Sequence, residues 1–271
     1  MSCASADLTA SADLTAPAHR YRQAVVVNLP KHEARFEGVK QQLDEAGVKF
    51  ERIAAVVGKQ LSPEERRSNV TALARVLITP GMMGCFLSHR RCWERCVELN
   101  EDLLVFEDDI LLEPEFSKRV CAAMDDLPED WDVMLIGALG CVHPERKYGL
   151  LWLIHFLPSL VFLPFSGNRW KPRVSSAVHV PLRPAGTHAY VISPAGARKL
   201  LDACPKANYH VDVVAWGTRA LQLYCVNPLL AKQVPPHPAT PACSACTRSV
   251  PTPPWTPRVA TRGRVPARPI A

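Results

Sequence analysis

Three adjacent carboxylates, Glu107, Asp108 and Asp109, follow directly on the apolar run Leu103-Leu104-Val105-Phe106. Unpaired carboxylates are costly to bury, so a strand that ends in them must protonate them, pair them with a cation or present them at a site. If strand alternation continues through the triplet, Glu107 and Asp109 point one way and Asp108 the other. In open α/β sheets ligands collect beyond the carboxyl ends of strands, where this cluster sits. Hard oxygen ligands suit magnesium or manganese, ions that bridge a protein carboxylate to a substrate diphosphate. The competing reading is an exposed acidic turn.

The cysteines carry less. Cys85, His89, Cys92 and Cys96 fall on one face of an expected helix. At about 1.5 Å rise per residue they span roughly 16 Å, so one tetrahedral zinc cannot take all four. They read as small core side chains with one histidine among them. Cys243 and Cys246 form a single CxxC with His237 upstream and no second pair, a weak zinc signal.

The elements that must position the acidic cluster alternate between strand and helix. Ala24 to Leu29 reads as a buried strand, and a helix with the stripe Phe36, Val39, Leu43 and Ala46 follows. Lys49 to Ala55 is a second strand. Ser62-Pro63-Glu64-Glu65 has the residues of a capping box with proline at the first helical position. A helix from Thr79-Pro80 to about Leu99 precedes strand Leu103 to Phe106. A helix from Pro114, a strand from Trp131 to Gly137, a strand from Thr187 to Ile192 and a helix capped by Ser193-Pro194 complete the pattern. The expected fold is an α/β domain, mostly parallel, with helices on both faces of the sheet.

At 271 residues, 48% hydrophobic and 21% charged, the chain can bury a substantial core. Its formal charge of +6 is uneven, because Arg248, Arg258, Arg262, Arg264 and Arg268 lie after Pro235 with no acid among them. The body is near neutral, which argues against specific nucleic-acid binding. Residues 1–20, with SADLTA repeated in tandem, and the Pro/Arg-rich segment 234–271 read as disordered, leaving 21–233 as the folded domain. No secretory signal is visible, so the expected location is cytoplasmic, with the endoplasmic reticulum as the alternative for an incomplete N-terminus. The apolar stretch Leu150 to Phe165 is too short for a bilayer span and holds His155, Pro158 and Pro164; it reads as a buried or lid-like insertion, with peripheral membrane contact as the minority reading.

Several segments together resemble glycosyltransferase family 25. They are Thr79-Pro80-Gly81-Met82-Met83-Gly84-Cys85-Phe86-Leu87-Ser88-His89 with Trp93, then Val105-Phe106-Glu107-Asp108-Asp109, then Gly186-Thr187-His188-Ala189-Tyr190-Val191-Ile192-Ser193 with Gly196-Ala197. Val27-Asn28-Leu29 with Arg35 is similar to that family's first block and His210-Val211-Asp212 to its last. The resemblance covers nearly all of 21–233. It implies a GT-A type, Rossmann-like fold, manganese or magnesium, a nucleotide-sugar donor such as UDP-galactose, and inverting transfer to a glycan or hydroxylysine-type acceptor, as in lipopolysaccharide or procollagen modification.

Site roles follow from that resemblance. Asp109 is the expected metal ligand, with Glu107 on the same face and His210 approaching from a second element. Asp212 is the expected base for the acceptor hydroxyl, with Asp132 behind it. Asn28, Arg35, Ser88, His89, Glu107, Asp108, Thr187 and His188 are expected around the donor. For Tyr190 core packing is the stronger expectation. Two other readings stay open: a non-catalytic relative acting in binding or adhesion, and a carboxylate-metal phosphohydrolase.

Overall fold

In the computed structural model the structure describes residues 21, 23–141, 174–181 and 183–234. The segments read as disordered ends, the apolar insertion and the CxxC pair lie outside the described residues. The β-branched run of β1 (Gln23–Asn28) is buried along its length after Gln23. Helix α1 (Glu33–Glu45) buries Phe36, Val39 and Leu43 from the stripe read in the sequence. After β2 (Phe50–Ala54) and a short 3-10 turn, α2 (Pro63–Asn69) opens on a complete capping box. Ser62 Oγ accepts from the Glu65 amide at 3.1 Å, and the Glu65 carboxylate accepts from the Ser62 amide at 2.7 Å.

The short α3 (Ala74–Leu77) precedes α4 (Pro80–Leu99), the longest helix described. Thr79 Oγ1 caps its start and Asn100, in the left-handed region, ends it. Then come β3 (Leu103–Glu107), β4 (Ile110–Leu112), α5 (Phe116–Asp125), β5 (Val133–Cys141), β6 (Val178–His179) and β7 (Arg183–Ile192). Last are α6 (Pro194–Ala203), capped by Ser193, α7 (Val211–Trp216), β8 (Leu223–Val226) and β9 (Ala231–Gln233).

Seven strands form one sheet in the order β2-β1-β3-β7-β5-β8-β6. The pairs β2/β1, β1/β3 and β5/β8 are parallel, whereas β7 runs antiparallel between β3 and β5, and β6 antiparallel to β8. Five strands therefore share one direction, giving the α/β, Rossmann-like architecture expected. Its reversed strand β7 sits at the centre, a departure from the simple alternation expected. Connectivity explains this: β7 meets β3 and β5 as neighbours in space, and pairing direction is invisible in a single strand's pattern.

Alternation divides the core into two layers. Val25, Val27, Leu103, Val105, Tyr190 and Ile192 face α4, α6 and α7. Ala24, Val26, Leu104, Phe106, Ala189 and Val191 face α1 and α5 on the other side. The carboxyl ends of β1 and β3 open between these layers, and β4 and β9 pair antiparallel beside them. Among the described residues no helix is long and apolar enough to cross a membrane.

Candidate active site

Regular strand geometry stops at Glu107, and the chain bends through Asp108 and Asp109 before β4. Glu107, continuing the alternation of β3, lies on the α4 side. Its Oε1 accepts from the Thr187 hydroxyl at 2.6 Å and stands 3.3 Å from His89 Nε2. Asp108 belongs to the α1 side, with Asn28 Nδ2 at 2.5 Å and Arg35 Nη1 at 3.1 Å. Asp109, expected beside Glu107, makes its hydrogen bonds to other groups. It shares the Arg35 guanidinium with Asp108 at 2.8 Å and accepts from Gln233 Nε2 at 3.1 Å. The chain bends after Glu107, so Asp108 and Asp109 pair around one arginine while Asp109 stays near enough to Glu107 to feel its charge.

These environments drive the carboxylates apart electrostatically. Burial pushes Glu107 up, but the hydrogen bonds from His89 and Thr187 outweigh it and hold the group below the usual carboxylate range. Asp109 is pushed up to about 6, by burial first and then by the charge of Glu107, against the relief from Gln233 and Arg35. Its Oδ1 is buried without a hydrogen-bond partner, an arrangement a bound cation would relieve.

His89 joins the carboxylates to the core. Trp93 Nε1, a donor only, lies 3.1 Å from Tyr190 Oη, which in turn lies 3.1 Å from His89 Nδ1. With the indole donating to the phenol and the phenol to Nδ1, the imidazole carries its proton on Nε2, toward Glu107. Tyr190 therefore does more than the core packing expected of it. His89 is at once a satisfied core histidine and a contact of the site.

Beside this chain Gly186, at φ +83°, turns the start of β7 in a conformation that favours glycine. Both its backbone groups are fixed: its amide donates to Asp212 Oδ2 at 2.8 Å and its carbonyl accepts from Trp216 Nε1 at 2.9 Å. Two residues on, His188 is buried, and burial pushes its pKa down. Its ring packs into the space left by the missing side chain of Gly137, where a Cβ would stand 2.5 Å from Nε2, and Nδ1 has no partner.

A sequence model of the family described as "Glycosyltransferase family 25 (LPS biosynthesis protein)" matches residues 22–215. The chain belongs to glycosyltransferase family 25. It is 32% identical over 191 residues to a glycosyltransferase 25 family member of Aedes aegypti, covering 66% of this chain and 28% of that protein. It is 30% identical over 244 residues to procollagen galactosyltransferase 1-B of Xenopus laevis, covering 78% of this chain and 35% of the other. It is 29% identical over 215 residues to inactive glycosyltransferase 25 family member 3 of Homo sapiens, covering 73% and 32%. The chain thus spans about a third of the length of these relatives.

Within this family 25 domain several expected roles change. His210 forms the N-cap position of α7 and meets the Tyr209 ring edge-on at 5.1 Å. Among the described residues the one group of three potential metal-ligand side chains with atoms within 4.8 Å of one another is Cys85, His89 and Glu107, which includes neither His210 nor Asp109. Asp212, the expected base, gives each carboxylate oxygen to a backbone amide, Gly186 and Val213, both at 2.8 Å. It is a positioning residue for the β7 turn.

Asp132 is removed from the chemistry altogether. It precedes β5 at the end of the sheet where Leu103 begins β3, roughly 15 Å of strand away from Glu107. There, almost fully buried, it takes Lys199 Nζ at 2.6 Å and the Gln222 amide at 2.7 Å. Ser88 is also committed, donating to the Gly84 carbonyl at 2.7 Å and accepting the Val56 amide at 2.8 Å. Asn28 donates to Asp108 and to the His32 carbonyl and accepts from Arg52, so it orients Asp108 rather than waiting for a ligand. Thr187 is tied to Glu107. Gln233, 124 residues from Asp109, had no local signal that would bring it to the site.

Proposed function

We propose that this domain is a metal-dependent glycosyltransferase that moves a sugar, galactose first among candidates, from a UDP-sugar to a hydroxyl of a glycan or hydroxylysine-type acceptor with inversion. The observation that carries this reading is the buried, unpartnered Oδ1 of Asp109 in a carboxylate pair at the carboxyl end of β3. Oxygen donors of that kind fit manganese or magnesium, with Asp109 and Asp108 as holders. Such an ion supplies Lewis-acid neutralisation of a departing diphosphate.

The chain's own groups do the rest. Arg35, partly exposed, exchanges its carboxylate partners for a diphosphate oxygen, a geometry its planar fork suits. Glu107, fixed by Thr187 and His89 and held anionic, presents a stationary negative charge on the α4 side. His188 Nδ1 is the free lone pair near Gly186, and it replaces Asp212 as the group to take the acceptor proton.

One observation favours a second reading, in which the domain binds without turnover: Arg35 already bridges both aspartates as a resident cation. The deciding experiment is a UDP-sugar screen with and without manganese on the wild type and Asp109→Asn. Manganese-dependent transfer that disappears in the variant supports the proposal. Metal-independent transfer, or full activity in the variant, refutes it, and binding of donor and metal without transfer favours the second reading.

A further inference from the structure

We infer that Cys85, His89 and Glu107 form a second cation site, built for a borderline-soft divalent ion such as zinc and distinct from the hard-ion pair Asp108–Asp109. Cys85 and His89 are four residues apart on α4, so their side chains lie one above the other on the same face, and Glu107 faces them from the end of β3. The ligand atoms of all three lie within 4.8 Å of one another.

The His89–Glu107 hydrogen bond is long enough to leave room for an ion. A charge-assisted N–H···O contact to a carboxylate settles near about 2.8 Å. The His89 Nε2 to Glu107 Oε1 distance is 3.3 Å. Tetrahedral zinc with bonds of about 2.0 Å to nitrogen and oxygen has an N···O edge of about 3.3 Å, and its longer bond of about 2.3 Å to sulfur lets the thiolate stand further off. Each flanking ligand has a neighbour behind it, and at His89 the Tyr190 oxygen can serve as acceptor once the hydroxyl turns away from Nδ1. Tyr190 Oη meets His89 Nδ1, with Trp93 behind it, and Thr187 holds Glu107.

Ligand type then separates this site from its neighbour. Thiolate and imidazole favour zinc over manganese, while the two aspartates offer only oxygen. The next cysteines along the helix do not compete: Cys92 is fully buried, with its thiol pushed up by burial, and Cys96 is pushed up to about 12 by burial and then by the charge of Asp102. Cys85 is exposed, so the ion has an entry path and an open fourth position for water. On binding, the Cys85 thiol gives its proton to solvent. The imidazole proton leaves Nε2 and one returns on Nδ1, facing the Tyr190 oxygen, so the net release is one proton per ion.

The test uses the full chain with Cys243→Ser and Cys246→Ser, which removes the CxxC pair as a rival zinc ligand, titrated with cobalt as the spectroscopic probe. The expected result is one cobalt per chain with a thiolate-to-metal charge-transfer band, displaced by zinc but not by excess manganese. Adding Cys85→Ser, an exposed position whose melting temperature reports intact folding, removes the band and weakens binding by at least about a hundredfold. No band, a band that survives Cys85→Ser, or displacement by manganese overturns the inference. None of these readouts requires sugar transfer, so this site and the proposed reaction fail separately.

Discussion

Replacing Asp109 with asparagine in metal-free protein should stabilise the fold above about pH 6, although it removes a charged partner of Arg35. The reason is that the carboxyl sits at about 6 when folded, against an ordinary value of 3.8, because of burial and then the charge of Glu107. A group whose folded pKa is raised binds its proton more tightly in the native state. Its contribution is therefore fully favourable below about pH 4 and is lost as pH rises through about 6. At about 1.4 kcal/mol per pH unit, the gap amounts to about 3 kcal/mol as a ceiling. That gap already includes the attraction of Arg35, for which asparagine keeps the shape and an acceptor, and solvent screening around the partly exposed arginine discounts it. The net expectation is a gain of about 1–2 kcal/mol at pH 7.

Urea denaturation of wild type and Asp109→Asn in chelator, from pH 4 to pH 7.5, measures this directly. Asp108, also pushed up by burial, leaves a slope of the same sign in both proteins, and His188, pushed down by burial, leaves one of opposite sign. The difference between the two curves reports Asp109 together with its charge interactions with Glu107 and Asp108. Glu107 does not intrude: its folded pKa is depressed, so its contribution is present above its ordinary value and lost only as pH falls below that range. Manganese should then stabilise the wild type, in proportion to the logarithm of its concentration, and leave the variant unmoved. A flat difference curve, or an asparagine variant less stable than wild type at pH 7 without metal, refutes the account of Asp109 as a carboxylate lacking its cation.

Arg35→Gln removes the resident countercharge of Asp108 and Asp109; manganese should bind about tenfold more tightly by calorimetry, and unchanged affinity would exclude competition between arginine and ion. Gly84→Ala would put a Cβ 2.3 Å from the Val56 carbonyl oxygen, where α4 meets the loop after β2, and should cost at least about 2 kcal/mol in thermal or urea unfolding. Lys199→Met strands the buried Asp132 carboxylate and should cost about 2–4 kcal/mol in urea unfolding, whereas Asp132→Asn should leave manganese affinity unchanged by calorimetry.

Local chemistry made much of the fold legible. The capping residues Ser62, Thr79 and Ser193, each followed by proline, begin three of the helices, and the Phe36, Val39 and Leu43 stripe faces the core. What escaped was short or non-local. Strands β4, β6 and β9 have two or three residues, too few for a period to register. Helix α7 has six, and the helix expected from Pro114 starts at Phe116 because Glu115 takes a left-handed conformation first. The direction of β7 depends on its partners Phe106 and Gly137, neither of which its own sequence reveals.

The acidic triplet shows why site roles were harder to read than site location. Residue type and position at a strand end were enough to find Glu107, Asp108 and Asp109, but assigning them needed the point where β3 stops. A continued strand would have set Glu107 and Asp109 on one face away from Arg35; even with the bend, the charge of Glu107 is felt at Asp109. The bend instead sends Glu107 to the His89–Thr187 side, among donors that keep it anionic, and gathers Asp108 and Asp109 around Arg35. Three adjacent carboxylates are tolerated because each side has its own partners, although the charge of Glu107 still helps push Asp109 up to about 6. The same strand end carries an aspartate pair around Arg35 on the α1 side and the Cys85, His89 and Glu107 triple on the α4 side.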